Sequence, residues 1–257
     1  MNMDNPYSAP LSTVADVAVR DGHAFRSPHV LRNTVFGLIV THAFLGVLTI
    51  IAIACLRQAL QQVAGHEFVS QQAMQAELHS RGALQTALSS MEFLVLLATY
   101  VVSGLWIHRV ACNVRALGAK GLDDSPGWAV GWYFIPFLCL QRPFRAMEQI
   151  WLASQSPLRW QKLATPALLR LWWGLWLALC FSGYPLMRTI GASRSLTVLI
   201  GNESLLIVNQ VLTILAELCF LVVVMRITRM QLEPNKRVVE PPPLGIDMAR
   251  LPSVSTD

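Results

Sequence analysis

Apolar runs close to twenty residues long, each closed by basic residues, constrain this chain more than any motif does. Val35 to Leu56 is a 22-residue run interrupted only by Thr41, His42 and Thr49, and Arg57 ends it. Met91 to His108 is the next, with Glu92 at its outer edge and Arg109, Arg115 and Lys120 behind it. Ala167 to Met187 and Leu205 to Met225 are 21 residues each, the first containing Arg170 and the second stopped by Arg226 and Arg229. A helix of about 20 apolar residues covers the roughly 30 Å hydrocarbon layer of a bilayer. With 54% of residues hydrophobic and only 14% charged, the chain has little surface to offer water and fits an all-α integral membrane protein better than a soluble domain.

Between the second and third runs lies a shorter apolar stretch of a different kind. Gly127 to Leu140 has 14 residues, about 21 Å as a helix, which is too short to cross easily. Pro136 and Pro143 each remove a helical hydrogen bond, and Trp128, Trp132, Tyr133 and Phe134 carry rings that favour the headgroup boundary. Residues 127–143 therefore read as a proline-broken element, re-entrant or interfacial. Behind it, Phe144, Met147, Ile150 and Trp151 share one helical side, with Arg145, Glu148 and Gln149 elsewhere, which predicts an amphipathic surface helix.

The expected architecture is four transmembrane helices (about 35–56, 91–108, 167–187 and 205–225), the broken element and the surface helix, all in one membrane domain, 33–230. A polar N-terminal tail, 1–32, reads as mobile, and a Pro-rich C-terminal tail, 231–257, as disordered. The Ala- and Gln-rich stretch 57–90 predicts helical extensions that meet outside the membrane, with breaks at Gly65 and Gly82. The first 30 residues lack the apolar core of a cleavable signal, so the first span is expected to insert and stay. If the broken element does not cross, sixteen of the 20 Lys and Arg fall on the side of both tails, which places those tails in the cytoplasm of a cell (inner) membrane. If it crosses, the split is eight with the N-tail against twelve, a weaker asymmetry that would put the N-tail outside.

Several chemistries find no support in the residues. The five cysteines are an odd number with no C-x-x-C pair, and they read as small buried hydrophobes, giving neither a disulfide framework nor a zinc site. His42 and His108 sit at depths about 10 Å or more apart, without a second pair, so haem is not expected. Asp123-Asp124 reads as a solvated or capping pair and supplies no metal site. No nucleophile elbow, phosphate loop, H-E-x-x-H or paired-acid arrangement is present, so no catalytic residue and no cofactor is assigned. The net charge of +5 comes from residues flanking apolar spans, which points to anionic lipid rather than nucleic acid.

The middle of the chain resembles a bacterial multi-pass membrane family named for its domain of unknown function 4328. The likeness is carried by Trp106-Ile-His-Arg109-Val-Ala-Cys-Asn113-Val-Arg-Ala-Leu-Gly118 and by Pro126-Gly-Trp-Ala-Val-Gly-Trp-Tyr-Phe-Ile-Pro136. It extends through Pro143-Phe-Arg-Ala-Met-Glu148-Gln-Ile-Trp151-Leu-Ala-Ser154 and Leu171-Trp-Trp-Gly-Leu-Trp176. Where the family often has an Asn between its two prolines, this chain has Phe137-Leu-Cys-Leu140. The resemblance implies a membrane location and no established activity or catalytic residue.

Small or polar residues recur at i, i+4 spacing in every span, which places them on one face. His42, Gly46 and Ala54 do so in the first, and Thr99 and Ser103 in the second beside Gly104 and His108. Arg170, Gly174, Ala178 and Ser182 do so in the third, and Asn209, Thr213 and Glu217 in the fourth. All four faces are expected to point inward. Glu217 stands within about 3 Å of mid-span, where an unpaired carboxylate costs at least a few kcal/mol. Its expected partners are His42 and Arg170, either as a structural clasp or as a ligand-binding or proton-relay site that includes Asn209 and Trp132. Arg109, Arg115, Arg142, Arg145, Trp128 and Trp151 are the expected contacts to lipid headgroups. Two functions follow. One is a non-enzymatic membrane scaffold whose basic cytoplasmic face meets the anionic inner leaflet or a protein partner. The other is a small transporter or lipid-handling protein with a site around Glu217, Arg170 and His42.

Overall fold

A computed structural model describes residues 24–64, 71–192 and 196–233. The predicted tails, apart from residues 24–32 and 231–233, and the expected break at Gly65 lie outside them. All regular structure among the described residues is helical: α1 (His29–Ala64), α2 (Gln71–Ala116), α3 (Pro126–Gly131), α4 (Arg142–Gln155), α5 (Ala167–Ala192) and α6 (Leu196–Leu232). Short 3-10 turns at Trp132–Phe134, Leu138–Leu140 and Trp160–Lys162 connect them.

Three stretches are long and apolar enough to cross a membrane: His29–Ala59, His79–Ala116 and Ser204–Leu232. Ala167–Ser182 of α5 is a shorter apolar helical segment. The long helices outrun the apolar cores read from the sequence, because the Ala-, Gln- and Leu-rich flanks have high helix propensity and nothing in them interrupts the backbone bonds. Gly82 does not break α2 as predicted. Its carbonyl accepts a bond from Thr86 Oγ1 at 2.9 Å, and a glycine inside a helix costs only about 1 kcal/mol. The first helix begins at His29, inside the stretch read as tail.

The chain leaves α2 through glycine chemistry. Gly118 has φ +92°, the Ala119 N–H bonds the Val114 carbonyl at 3.0 Å and the Gly118 N–H bonds that of Arg115 at 2.9 Å, a left-handed helix end that satisfies the last carbonyls. Ser125 then caps α3, its hydroxyl accepting from Trp128 N–H at 3.3 Å, and Pro126 opens the helix where no donor is needed. Beyond α3 the backbone turns at Phe137, whose φ of +64° is unusual for a side chain. Pro143 lies in the first turn of α4 and removes no helical bond, contrary to the sequence reading. The element doubles back, since the Arg142 guanidinium lies over the Trp132 ring at 5.3 Å. Phe134 and Phe137 stand at its tip, 81% and 87% exposed.

α4 is no surface helix. Pro143, Ala146, Met147 and the run Ile150 to Ser154 are all buried, because this helix wedges between α2 and α6. The core that results joins Val35 and Ile39 of α1, Trp106 and Val110 of α2, Met147 and Ile150 of α4, Leu169, Trp172 and Trp173 of α5, and Val223, Val224 and Ile227 of α6. Aromatic rings fill its middle: Trp172 stacks on Phe220 at 5.3 Å, Trp173 on Trp176 at 4.6 Å, and Trp106 meets Phe220 edge-on. The opposite sides of α1 and α2, with Phe44, Ile51, Phe93, Leu97 and Leu105, remain exposed.

Candidate functional site

Polar side chains gather on the inner face of α6 at seven-residue spacing, two helical turns apart: Gln210, Glu217 and, past Val224, Gln231. α1 faces them with His42, Gly46 and Thr49, and α2 with Glu92. His42 Nδ1 lies 2.9 Å from Glu217 Oε1 and 3.0 Å from Oε2, with the two side chains 4% and 12% exposed. One turn further along α1, Gly46 lets the helices close. A Cβ there would stand 2.4 Å from Gln210 Nε2 and 3.3 Å from Glu92 Oε1. Gln210 Nε2 donates to that same Glu92 oxygen at 2.9 Å, and the Thr49 hydroxyl, on a side chain 3% exposed, is buried without a hydrogen bond. The result is a layer of two carboxyls, one imidazole, one amide and one hydroxyl shared by three helices. An apolar plug of Trp106, Val223, Val224 and Ile227, all fully buried, separates it from the far end of the bundle.

Beyond the plug a second network is fully connected. Asn113 Nδ2 donates to Gln231 Oε1 at 3.0 Å and to the Arg26 carbonyl at 2.9 Å, while the Arg26 N–H donates to Asn113 Oδ1 at 3.0 Å. Gln231 Nε2 in turn reaches Ser154 Oγ at 2.9 Å and the Val110 carbonyl at 3.1 Å. Trp106 Nε1 donates to Thr228 Oγ1 at 3.2 Å. A buried network with every member bonded fixes register, so this one locks α2, α4 and α6 and pins the segment entering α1. At the other end of the bundle Arg57 Nη1 donates to Ser204 Oγ at 2.8 Å.

Of the residues singled out in the sequence, Glu217 and His42 meet. Arg170 does not join them. It is exposed on α5 and donates from Nη2 to the Thr165 carbonyl at 2.9 Å. The third stripe as a whole faces outward, with Gly174 and Ala178 exposed and only Ser182 turned in, where its hydroxyl accepts from Asn209 Nδ2 at 2.7 Å. Bulk explains the reversal, since Leu169, Trp172 and Trp173 on the other face of α5 bury far more apolar surface than the small residues would. Ala54 is likewise exposed. Trp132 belongs to the broken element, stacked on Trp128 at 4.6 Å, and its indole N–H is buried without a partner.

Among the headgroup candidates, Arg145 and Trp128 are exposed, and Arg109 and Arg142 are half-buried. Arg115 binds backbone, donating to the carbonyls of Ala111 and Asp124, which ties the end of α2 to the loop before α3. Trp151 is only 5% exposed and lies in the core, so its ring has no surface to give a headgroup. Glu92, Thr49 and Gln210 escaped the sequence reading. Taking the second span to begin at Met91 made Glu92 an edge residue, whereas α2 begins twenty residues earlier. The seven-residue recurrence of Gln210, Glu217 and Gln231 was the available signal. Among the described residues no group of three His, Cys, Asp or Glu has a geometry that would hold a metal ion.

A family model described as Domain of unknown function (DUF4328) matches residues 69–229. No curated protein and no solved structure matches the chain.

Proposed function

This chain belongs to the domain of unknown function 4328 family, and we propose that it is a non-enzymatic, multi-pass membrane scaffold with four crossings, both termini cytoplasmic and a basic cytoplasmic face that gathers anionic lipid. The fourth crossing is supported by parity. Arg57 at the end of α1 meets Ser204 near the start of α6, while Gln231 at the end of α6 meets Asn113 at the end of α2 and Ser154 at the end of α4. A passage of the chain from one end of the bundle to the other between Ser154 and Ser204 fits these contacts, and α5, about 39 Å long for its 26 residues, is long enough to make it. The broken element returns on itself and stays at the end where Arg109, Arg115, Arg142, Arg145, Arg226 and Arg229 gather. Basic residues collect on the cytoplasmic side, so this end is the inner one.

The observation that carries the scaffold reading is the filling of that end. α4 plugs the space between α2 and α6, and buried Trp106, Met147, Trp151 and Trp172 occupy what a substrate path would need. The transporter alternative draws on the buried His42–Glu217 pair, but its expected site loses Arg170 to the outer surface and Trp132 to the broken element.

Lipid retention tests the proposal. Protein purified from a mixed phosphatidylglycerol and phosphatidylethanolamine membrane is expected to retain phosphatidylglycerol above its bulk fraction, by mass spectrometry of the bound lipids. Replacing Arg109, Arg142 and Arg145 together by Gln should lower the enrichment severalfold, at about 1 kcal/mol per basic residue near an anionic surface. Retention in bulk proportion, unchanged in the triple variant, rejects the basic face as a lipid site.

A further inference from the structure

The broken element between α3 and α4 sorts its residues by polarity from base to tip. At the base Trp132 stacks on Trp128 at 4.6 Å, and the Arg142 guanidinium lies over the Trp132 ring at 5.3 Å. At the tip Phe134 and Phe137 stand exposed, with Leu138 exposed beside them. The Arg142 side chain is half-buried, and among the described residues it makes no hydrogen bond and no ion pair. Its position is set by the ring beneath it, an attraction of cation to π face that leaves the N–H donors of the fork unbonded. From Ser125 to Met147 the chain carries Arg142 and Arg145 and no Asp or Glu, so no carboxylate within the element competes for that charge. Phe137 holds its φ of +64° with the ring turned out of the protein, so a backbone conformation unusual for a side chain presents a large apolar group to the surroundings instead of the core.

We propose that the broken element seats one anionic phospholipid of the inner leaflet, its phosphate on the Arg142 guanidinium and its acyl chains against Phe134 and Phe137. The inference deepens the lipid-gathering reading above and rests on this end of the bundle facing the anionic leaflet. A cation at the base and apolar rings at the tip follow the order of a phospholipid from phosphate to acyl chain, so one molecule satisfies both. A guanidinium presents parallel N–H donors that match two phosphate oxygens, whereas an ammonium meets them as a point charge. Trp128 and Trp132 hold that fork at headgroup depth, where indole rings are favoured. A lipid with an ammonium headgroup finds no carboxylate in the element to receive it, which favours a net-anionic headgroup such as phosphatidylglycerol. Arg145, exposed and three residues further along α4, has no ring beneath it among the described residues and contributes charge alone.

Native mass spectrometry of the full chain in detergent, titrated with dioleoyl phosphatidylglycerol, tests the seat. One lipid is expected to bind ahead of the rest and severalfold more tightly than dioleoyl phosphatidylethanolamine. Arg142→Lys, which keeps the charge and loses the fork, should weaken that first binding severalfold, while Arg145→Lys leaves it unchanged. Phe134→Ser, at an exposed ring, should weaken it as well, and inorganic phosphate or glycerol 3-phosphate in excess should not displace the lipid. Equal effects of Arg142→Lys and Arg145→Lys, equal binding of the two lipids, no effect of Phe134→Ser, or displacement by inorganic phosphate would each overturn the proposal, the last by reducing the seat to a site for any small anion. Because Arg142→Lys keeps the net charge, the wider basic face is read separately. Bulk enrichment with a first binding indifferent to Arg142→Lys rejects the seat and leaves the face, and the expected first binding without bulk enrichment rejects the face and leaves the seat.

Discussion

At Gly46 an added methyl group would meet the side-chain ends of Gln210, Glu92 and Ile214. Gly46→Ala places a carbon 2.4 Å from Gln210 Nε2 and 3.3 Å from both Glu92 Oε1 and Ile214 Cδ1, and overpacking of this kind costs about 1–3 kcal/mol. The detergent-solubilised protein should melt several degrees lower. Gly174→Ala meets nothing within 4 Å and gains about 1 kcal/mol of helix propensity, so its Tm is expected to hold or rise. Equal effects at the two positions would show that the close approach at Gly46 is not limiting. His42 follows a different rule, since removing one partner of a buried pair strands the other. His42→Leu is expected to lose about 3–5 kcal/mol, and His42→Leu with Glu217→Leu less than His42→Leu alone, because the second change removes the stranded carboxylate. A double variant less stable than either single one would contradict this. Phe137 carries the positive φ of the broken element with its ring 87% exposed, so Phe137→Gly should raise stability by about 1 kcal/mol, read from the same melting curves.

Among the elements, α4 and the segment before α1 depend on the same amide. Asn113 holds the Arg26 backbone from both sides and hands Gln231 on to Ser154, so Asn113→Ala leaves buried groups of α6 and of the α1 entry unpaired. About 2 kcal/mol of lost stability is expected, together with faster amide hydrogen exchange at Arg26 while α5 amides far from the network keep their rates. Unchanged exchange at Arg26 would mean that the clamp is not what orders this segment. These elements also mark how far sequence alone reaches. Long apolar runs announced α1, α2 and α6 because membrane-length helices need little context, and the prolines announced a break at 127–143. What periodicity lacks is knowledge of the neighbour. The apolar side of α4 reads the same whether it meets lipid or protein, and Ala146 and Ala153, small enough to let α2 and α6 close around it, decide for protein. On α5 two faces competed, and the tryptophans took the interior from the small-residue stripe. In the candidate site, Glu217 and His42 were legible as costly mid-span groups, but Glu92 was hidden by the point at which its run was taken to begin.

At the scale of the whole molecule, the polar contacts arrange themselves by depth. Arg57 with Ser204 marks one end, the Glu92 to Glu217 layer follows, then the tryptophan and valine plug, then Asn113, Gln231 and Ser154 at the end shared by α2, α4 and α6. In the topology proposed above, α5 crosses together with α6, and the end rich in Lys and Arg is the inner one. Both statements meet in one measurement. In a version of the protein with all five cysteines replaced by serine, single cysteines at Ser80, exposed on the early part of α2, and at Arg145, exposed on α4, stand at opposite ends of the bundle. A membrane-impermeant maleimide added to intact cells is expected to label the Ser80 position and to reach the Arg145 position only after permeabilisation. Labelling at both positions from outside would mean that the broken element runs through the bilayer, and labelling at Arg145 alone would invert the orientation, taking the basic face away from the anionic leaflet on which the scaffold reading depends.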